Sequence, residues 1–264
     1  MKINNISYTN YNKRTYRTNN NKTENKKLSF MGVGTFERLN SHRSGLFDYL
    51  FGLKNIVRFV DRDVTAGETL ANKDNSFFKF ISNLGINIVV DLREFDTTYQ
   101  RKCQNNGIKY ISVPFTHVLK ERKDSIFNYN DNGKVHDNFV KQISTLIKNI
   151  QKGNVYLGCQ YGVDRTNFAL VLEYIFNYNS THKAPKIFPS NYTTRNALLN
   201  KNINLVKKIV KRLSEEQREV LNLPENFEET ILPKRIGAIV KENNLGITKD
   251  MLQRLKQKIQ NVLL

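Results

Sequence analysis

The sequence predicts an α/β domain with a central, mostly parallel sheet flanked by helices, followed by a C-terminal helical extension. Short strand-like segments alternate with amphipathic helical segments between residues 55 and 176, the order expected of parallel strands joined by helices. The segment INIVVDL at 86–92 is almost continuously apolar, as in a strand with both faces covered. Beyond residue 180 the apolar residues follow only helical periods.

The first predicted strand is 55–60, with the sequence NIVRFV. A helix is predicted over 77–84, because its apolar residues are spaced for one buried face. Asp74 or Asn75 is expected to be its N-cap, since both side chains can accept a hydrogen bond from the first turn. Gly85 then ends the helix in a left-handed conformation.

The next predicted strand is 86–92, and it is followed by a short polar helix at 96–105 that stops at an Asn-Gly pair. A third strand is predicted at 108–113. It ends before Pro114, because proline has no N–H group to donate to a strand ladder. The polar connection at 115–134 is long for a compact domain, which favours a functional or a disordered loop.

A helix over 139–150 is predicted from its single apolar face, and Asp137 is expected to cap it. Gly153 closes this helix, and the segment 154–167 follows, with the sequence NVYLGCQYGVDRTN. The segment opens with residues that favour a strand, and the long apolar run at 168–176 predicts a buried helix after it.

The C-terminal part contains only helical patterns. A loop at 180–192 holds two prolines, and a helix is predicted over 194–213. Ser214 and Gln217 have the spacing of a capping box, which predicts the start of another helix. Further helices are predicted over 232–242 and 248–263.

Composition divides the chain into three parts. Residues 1–30 are polar and poor in aliphatic side chains, so they cannot bury enough apolar surface to order, and we expect a disordered basic leader. Residues 31–180 are assigned to the α/β domain and 181–264 to the helical extension. With 264 residues and 39% hydrophobic residues, the chain can bury a substantial core.

The net charge of +18 is concentrated on the two flanks. Residues 1–30 carry seven Lys or Arg against one Glu, whereas 31–180 carry 19 basic against 15 acidic residues. Residues 181–264 carry 16 basic against 8 acidic residues. Basic flanks suit an anionic partner such as a membrane surface, an acidic protein, a polyphosphate or a nucleic acid. A solvated basic surface explains them equally well.

Several classes of protein are excluded or disfavoured by the sequence. No apolar run approaches the roughly 18 residues that span a membrane, and no secretory signal peptide is visible. The two cysteines, Cys103 and Cys159, give neither a disulfide framework nor zinc spacing, and Cys103 is expected to be a structural thiol. We therefore expect a cytoplasmic protein without a metal or other cofactor. A polar, basic leader also occurs on bacterial proteins that are exported without cleavage.

The segment 154–167 has the layout of an anion site. A strand, a tight loop and a helix N-terminus direct unpaired N–H groups and the helix dipole at one point, where a phosphate can bind. Cys159 lies at the start of this loop, six residues before Arg165. The segment therefore combines a nucleophile with a site for phosphate.

Each residue type in this loop suits phosphate chemistry. A thiolate at Cys159 would attack phosphorus, and a helix N-terminus with an arginine favours the thiolate form. Arg165 would hold two phosphate oxygens, and the Thr166 hydroxyl can donate to the sulfur. Gly162 allows the tight turn. The backbone amides of the loop would bind the phosphate oxygens at Gln160, Tyr161, Gly162 and Val163.

The string from Cys159 to Thr166 resembles the Cys-x5-Arg-Ser/Thr loop of the cysteine-dependent protein tyrosine and dual-specificity phosphatases. The segments LGINIVVDLRE at 84–94 and NNGIKYISVPF at 105–115 resemble strands of the bacterial dual-specificity-like branch. The resemblance covers roughly residues 50–178. It implies a tyrosine phosphatase-like fold and a metal-independent phosphatase that works through a phosphocysteine.

The chain departs from the family pattern at two positions. Gly158 stands where the family has a histidine that supports the loop and the thiolate, and Asn167 stands where the family has glycine. Neither change removes a reacting group. The first one nevertheless opens an alternative function, a pseudophosphatase that binds phosphorylated ligands and does not hydrolyse them.

The general acid that protonates the leaving oxygen has several candidates. Asp164 is favoured, because an aspartate directly before the arginine resembles the loop of lipid-active and phosphoinositide-active members of the family. A structural role for Asp164, stiffening the loop through a hydrogen bond, is nearly as well supported. Asp124, Asp131 and His117 lie in the polar connection and are the other candidates.

Two substrate classes are consistent with these residues. One is protein phosphorylated on tyrosine, and the other is a phosphoinositide or inositol phosphate, which the Asp-Arg-Thr ending and the basic flanks favour slightly. The basic flanks also suit an anionic membrane surface. Nucleic-acid binding would rest on net charge alone, because no recognisable module supports it.

Overall fold

The computed structural model describes residues 53, 55–115, 126–128, 133–187 and 192–244. Its centre is a five-stranded sheet with the order β1-β2-β7-β3-β4, in which β2, β7, β3 and β4 run parallel and β1 is antiparallel to β2. The predicted fold class is confirmed. The strands are β1 Val57–Phe59, β2 Val64–Glu68, β3 Ile88–Asp91, β4 Lys109–Ser112 and β7 Val155–Cys159.

Helices cover both faces of this sheet, and a small hairpin of β5 Phe127–Asn128 and β6 Lys134–Val135 lies beside it. The helices are α1 Asn75–Asn83, α2 Thr97–Gln104, α3 Asp137–Ile150, α4 Asp164–Phe176, α5 Tyr192–Val210, α6 Glu215–Val220 and α7 Ile231–Asn244. In the described ranges, none of these helices has the length and apolarity needed to span a membrane.

The sheet separates two hydrophobic clusters. One contains the apolar residues of α1 and α2 with Val89, Tyr110 and Tyr156 of the sheet. The other is larger, because α3, α4 and the C-terminal helices α5 and α7 all contribute to it. The helical extension therefore packs on the α/β part through a shared core.

Strand β2 is the strand of the central sheet that the sequence did not predict, and the hairpin of β5 and β6 was not predicted either. After β1 the chain forms a 3₁₀ helix at Val60–Arg62, and Val64–Glu68 then runs parallel to β7. Its sequence, VTAGE, is short and contains a glycine, which weakens the pattern of a strand. Its pairing with β7 is a long-range contact that no local pattern records.

The predicted caps have different outcomes. Asp74 is the N-cap of α1 and accepts a hydrogen bond from the Phe77 amide at 2.9 Å. Of the two candidates for this cap, Asp74 is therefore confirmed. The capping box of Ser214 and Gln217 is also confirmed. The prediction for α3 is wrong, because Asp137 lies inside its first turn. The Asp137 carboxylate instead accepts a hydrogen bond from Gln217 Nε2 at 2.7 Å.

Some predictions concern residues outside the described ranges. They are the disordered leader at 1–30 and the helix at 248–263. The candidate acids His117, Asp124 and Asp131 lie there as well.

Helix α4 is buried on all sides. Every residue from Thr166 to Phe176 is buried, because β7 and α3 cover the helix within the α/β part and α5 and α7 cover it from the extension. A helix that is apolar all round requires such a complete cover. The helix that begins in the predicted phosphate loop thus depends on the C-terminal helices for its burial.

A buried ion pair ties α4 to the turn before β2. Arg62 Nη1 lies 2.6 Å from Glu173 Oε2, and both side chains are fully buried. Asn177 Nδ2 donates to the other oxygen of Glu173 at 3.0 Å, and Arg62 Nη2 donates to the carbonyl of Lys183. The pair therefore holds together the start of β2, the helix α4 and the segment after it.

We expect Glu173→Gln to lower the free energy of unfolding by about 3 kcal/mol, because it leaves the buried Arg62 cation with only the partly exposed and more distant Asp61, at 3.5 Å, as a counter-charge. Urea denaturation followed by circular dichroism measures this change. Glu242→Gln is the control, since Glu242 lies 3.9 Å from the largely exposed Lys186 and should change stability by less than about 0.5 kcal/mol. Equal effects of the two substitutions would contradict the role given to the buried pair.

Candidate active site

The site is built where β7 passes into α4. Cys159 is the last residue of β7, Asp164 is the first residue of α4, and residues 160–163 form the loop between them. Cys159 is 2% exposed, and the Thr166 hydroxyl donates a hydrogen bond to its Sγ at 3.1 Å. A donor to the sulfur stabilises negative charge there. The strand, loop and helix that the anion site requires are present.

Gly162 lets this loop lie directly on the backbone of β2. Its φ is +69°, in the left-handed region that favours glycine. A Cβ atom on Gly162 would lie 2.5 Å from the amide nitrogen of Glu68 and closer still to the carbonyl carbon of Gly67. No side chain fits at this position unless the loop moves away from β2.

Tyr156 accounts for the glycine at position 158. A Cβ atom on Gly158 would lie 3.2 Å from Tyr156 Cε1 and 3.3 Å from the carbonyl oxygen of Glu68. One on Gly67, the neighbour of Gly158 in β2, would lie 2.9 Å from the Tyr156 hydroxyl. The Tyr156 ring therefore occupies the side of β7 where a side chain at 158 would stand.

The Tyr156 hydroxyl also anchors the end of β2. It donates to the carbonyl oxygen of Glu68 at 2.6 Å. Burial raises the pKa of Tyr156 well above its ordinary value, and the negative charges of Glu68 and Cys159 add to this effect. The hydroxyl thus stays protonated and remains a hydrogen-bond donor. Where the resembled family has histidine, this chain has a glycine covered by a tyrosine.

Arg165 lies at the start of α4 and is partly buried. Its Nη1 donates to the carbonyl oxygen of Leu92 at 3.4 Å, which is a long and weak hydrogen bond. Among the described residues it forms no ion pair. Most of its five N–H donors are therefore free, as far as this part of the chain shows, to bind the oxygens of an anion.

The remaining loop residues have different exposures. Gln160 is exposed, and Tyr161 is 72% exposed while its backbone carbonyl accepts a hydrogen bond from Asn55 Nδ2 at 2.8 Å. Val163 is half-buried against the larger hydrophobic cluster. Its carbonyl accepts the Asn167 amide at 2.9 Å. The loop backbone is thus held at Tyr161, Gly162 and Val163, and the side chains of Gln160 and Tyr161 face outward.

Asp164 is exposed at the N-terminus of α4. Within the described ranges its side chain makes no hydrogen bond or ion pair, so the stiffening role considered for it finds no contact there. An exposed carboxylate beside Arg165 can exchange protons with solvent and with a bound ester. Asp164 is accordingly the candidate acid whose position the structure describes.

Glu68 is a carboxylate near the loop that the sequence did not point out. In the parallel pairing of β2 and β7 it stands directly opposite Cys159, and it is half-buried. Parallel strands end at one edge of a sheet, and ligands bind beside that edge. Had β2 been predicted, this rule would have drawn attention to Glu68.

A cavity of about 500 Å³ lies beside Arg165. It is bounded by Gln160 and by the loop between β3 and α2, namely Arg93, Glu94, Phe95, Asp96 and Thr97. Arg93 is fixed there by a two-point ion pair with the buried Asp91, at 3.0 and 2.9 Å. The signal for this loop in the sequence was its place directly after a buried strand, at the carboxyl edge of the sheet.

Cys103 differs from Cys159 in its surroundings. It is fully buried in the smaller cluster, on the other side of the sheet. Burial, together with the charge of Asp91, raises the pKa of its thiol to about 12. A thiol with such a pKa is a poor nucleophile near neutral pH. In the described part of the chain, no group of three or more His, Cys, Asp or Glu residues could hold a metal ion.

The fit of the loop against β2 gives a testable expectation. Gly162→Ala should cost about 1 kcal/mol for the left-handed backbone and a further 1–3 kcal/mol or so for the clash with β2. Gly107→Ala is a matched control, because Gly107 has the same φ of +69° with no atom within 4 Å of its added Cβ. Urea denaturation of both variants separates the two costs, and equal losses would show that the loop tolerates a side chain.

Comparison with known proteins gives similarity of structure only. No protein-family model matches the sequence, and no curated protein matches it. A DUF442 protein of Shewanella putrefaciens, described as a phosphatase, is 11% identical with a TM-score of 0.36, over 66% of this chain and 93% of its own. The core catalytic domain of the PP-IP phosphatase SIW14 of S. cerevisiae is 12% identical with a TM-score of 0.34, over 72% of this chain and 93% of its own. TpbA of P. aeruginosa is 10% identical with a TM-score of 0.32, over 68% of this chain and 87% of its own. At similarities of this size, neither activity nor substrate passes from these proteins to this chain.

Proposed function

We propose that the protein is a cysteine-dependent phosphatase that hydrolyses phosphomonoesters through a phosphocysteine intermediate. The observation that carries this proposal is the hydrogen bond of 3.1 Å from the Thr166 hydroxyl to Cys159 Sγ. It joins the last residue of a strand to the first turn of a helix, with Arg165 between them in sequence. A sulfur in that position has a donor to stabilise its negative charge and an arginine beside it for phosphate.

The reaction would proceed in two steps. In the first, the Cys159 thiolate forms an S–P bond while the ester P–O bond breaks, and Asp164 gives its proton to the leaving oxygen. In the second, water attacks phosphorus, the S–P bond breaks, and the Asp164 carboxylate takes up the proton from the water. Arg165 and the amides of residues 160–163 would hold the equatorial oxygens in both steps.

The substrate would be protein phosphorylated on tyrosine, or a phosphoinositide or inositol phosphate. The chemistry of the loop recognises the phosphate that these classes share. The basic flanks favour an anionic partner or surface, because residues 181–264 alone carry 16 basic against 8 acidic residues. A cytoplasmic location remains our expectation.

Cys159→Ser should abolish the turnover of an aryl phosphate, lowering kcat by about four orders of magnitude or more, because an alcohol at neutral pH does not replace the thiolate. Release of inorganic phosphate from p-nitrophenyl phosphate measures this loss. Cys103→Ser is the control and should retain activity, since Cys103 lies on the other side of the sheet.

Unchanged activity of the Cys159→Ser variant would overturn the mechanism. A wild-type protein that binds phosphate esters without releasing phosphate would instead support the alternative, a pseudophosphatase. Gly158 is the feature that favours that alternative, because the supporting histidine of the resembled loop is missing and a side chain there would press on Tyr156 and on the carbonyl of Glu68.

Asp164→Asn should slow an alkyl phosphate by about 100-fold or more and p-nitrophenyl phosphate by less than about tenfold. The reason is that an alkoxide needs a proton to leave, whereas p-nitrophenoxide leaves without one. The ratio of kcat values for the two esters is the measurement. Glu215→Gln is a control, because Glu215 also lies in the first turn of a helix, α6, but away from the loop. Equal slowing of both esters would assign Asp164 a structural role.

A further inference from the structure

The cavity beside Arg165 connects the predicted phosphate loop with the loop after β3. Gln160 and Arg165 belong to the first, and Glu94, Phe95 and Thr97 belong to the second. Its volume of about 500 Å³ exceeds what a phosphate group needs. If the phosphate binds at Arg165, the organic group of the ester extends toward Phe95.

Phe95 is an exposed aromatic side chain held in a fixed position. It is 56% exposed, and it is one of three large hydrophobic side chains that stand out as exposed among the described residues. Its ring meets the ring of Tyr110 edge to face, with centroids 5.8 Å apart. The half-exposed ring is therefore available to a ligand without having to be ordered first.

Tyr110 is itself fixed by the loop. Its hydroxyl donates to Asp91 Oδ2 at 3.1 Å and accepts the Asp96 amide at 3.3 Å. Asp91 is held in turn by the two-point ion pair with Arg93. The position of Phe95 is thus set by a network that ends in the buried strand β3.

The charges around the cavity favour a ligand with a single phosphate. The charge of Arg93 is compensated by Asp91. A second carboxylate oxygen, Asp96 Oδ2, lies 3.5 Å from Arg93 Nη2. Glu94 adds an exposed carboxylate. Among the described residues of the lining, Arg165 is the cation without a carboxylate partner. A second phosphate on the ligand would find no matching cation in this lining and would meet Glu94.

We propose that Phe95 and Glu94 determine the specificity of the site, Phe95 by packing on an aromatic leaving group and Glu94 by repelling a second anionic group. The preferred substrates are then aryl monophosphates such as phosphotyrosine, rather than inositol polyphosphates. This inference rests on the proposed function for its phosphate site and goes beyond it in naming the group that fills the cavity.

Phe95→Ala should lower kcat/KM for phenyl phosphate by about 3- to 10-fold, through KM, because the contact with the leaving group is lost. The kcat/KM for glycerol phosphate and the inhibition constant of inorganic phosphate should not change, since neither places an aromatic group in the cavity. Phe95→Tyr should behave as the wild type. Val220→Ala is the matched control, because Val220 is 50% exposed on α6 outside the cavity lining.

Glu94→Gln tests the electrostatic part. It should raise kcat/KM for an inositol polyphosphate by about 2- to 5-fold and leave that for phenyl phosphate unchanged, because it removes one exposed charge near the ligand. An inositol polyphosphate that is the better substrate of the wild type, with no response to Glu94→Gln, would overturn this part of the inference.

Two outcomes would overturn the role of Phe95. One is an equal loss for phenyl phosphate and glycerol phosphate in Phe95→Ala, and the other is weaker inhibition by inorganic phosphate, since either means that Phe95 only supports the loop. If the wild-type protein hydrolyses none of these esters, the proposed function fails. The inference is then decided by calorimetric measurement of binding. It stands if Phe95→Ala weakens the binding of phenyl phosphate but not that of inorganic phosphate, and it falls if the two affinities change alike.

Discussion

The close contact between the loop at 160–163 and the backbone of β2 is the constraint on which the rest of the site depends. Gly162 approaches Gly67 and Glu68 so closely that no Cβ fits, and its positive φ turns the chain from β7 into α4. The Tyr156 hydroxyl holds the next group of the same backbone, the carbonyl of Glu68, with a hydrogen bond of 2.6 Å. Cys159 thereby ends strand β7 beside a firmly held β2. Helix α4, which carries Arg165, starts from a loop that is fixed on β2.

The parts of this arrangement that are local in sequence could be predicted. The apolar strand β3, the cap at Asp74 and the passage from Cys159 to Arg165 each follow from residues close together along the chain. Strand β2 could not be predicted, because its pairing with β7 joins residues about ninety positions apart and its own pattern is short and broken by Gly67. The role proposed for Phe95 could not be predicted either, because it depends on Tyr110 and on the cavity, which only the folded chain brings together.

The C-terminal helices contribute to the site without touching it. Helix α4 is buried from Thr166 to Phe176, and α5 and α7 supply the cover on the side away from the sheet. The pair of Arg62 and Glu173 then fixes the far half of α4 to the turn that leads into β2. The helix that follows the loop at 160–163 and the turn that leads into β2 are therefore anchored in one core, and the extension is part of that core.

The two cysteines of this sequence lie on opposite sides of the sheet, Cys159 in the larger cluster and Cys103 in the smaller one. A catalytic thiolate that is oxidised to a sulfenic acid is commonly rescued by a nearby thiol, which forms a disulfide with it and stops further oxidation. Cys103 cannot do this through the intervening strands. If Cys159 acts as the proposed nucleophile, its recovery from a sulfenic acid by disulfide formation therefore requires a thiol other than Cys103.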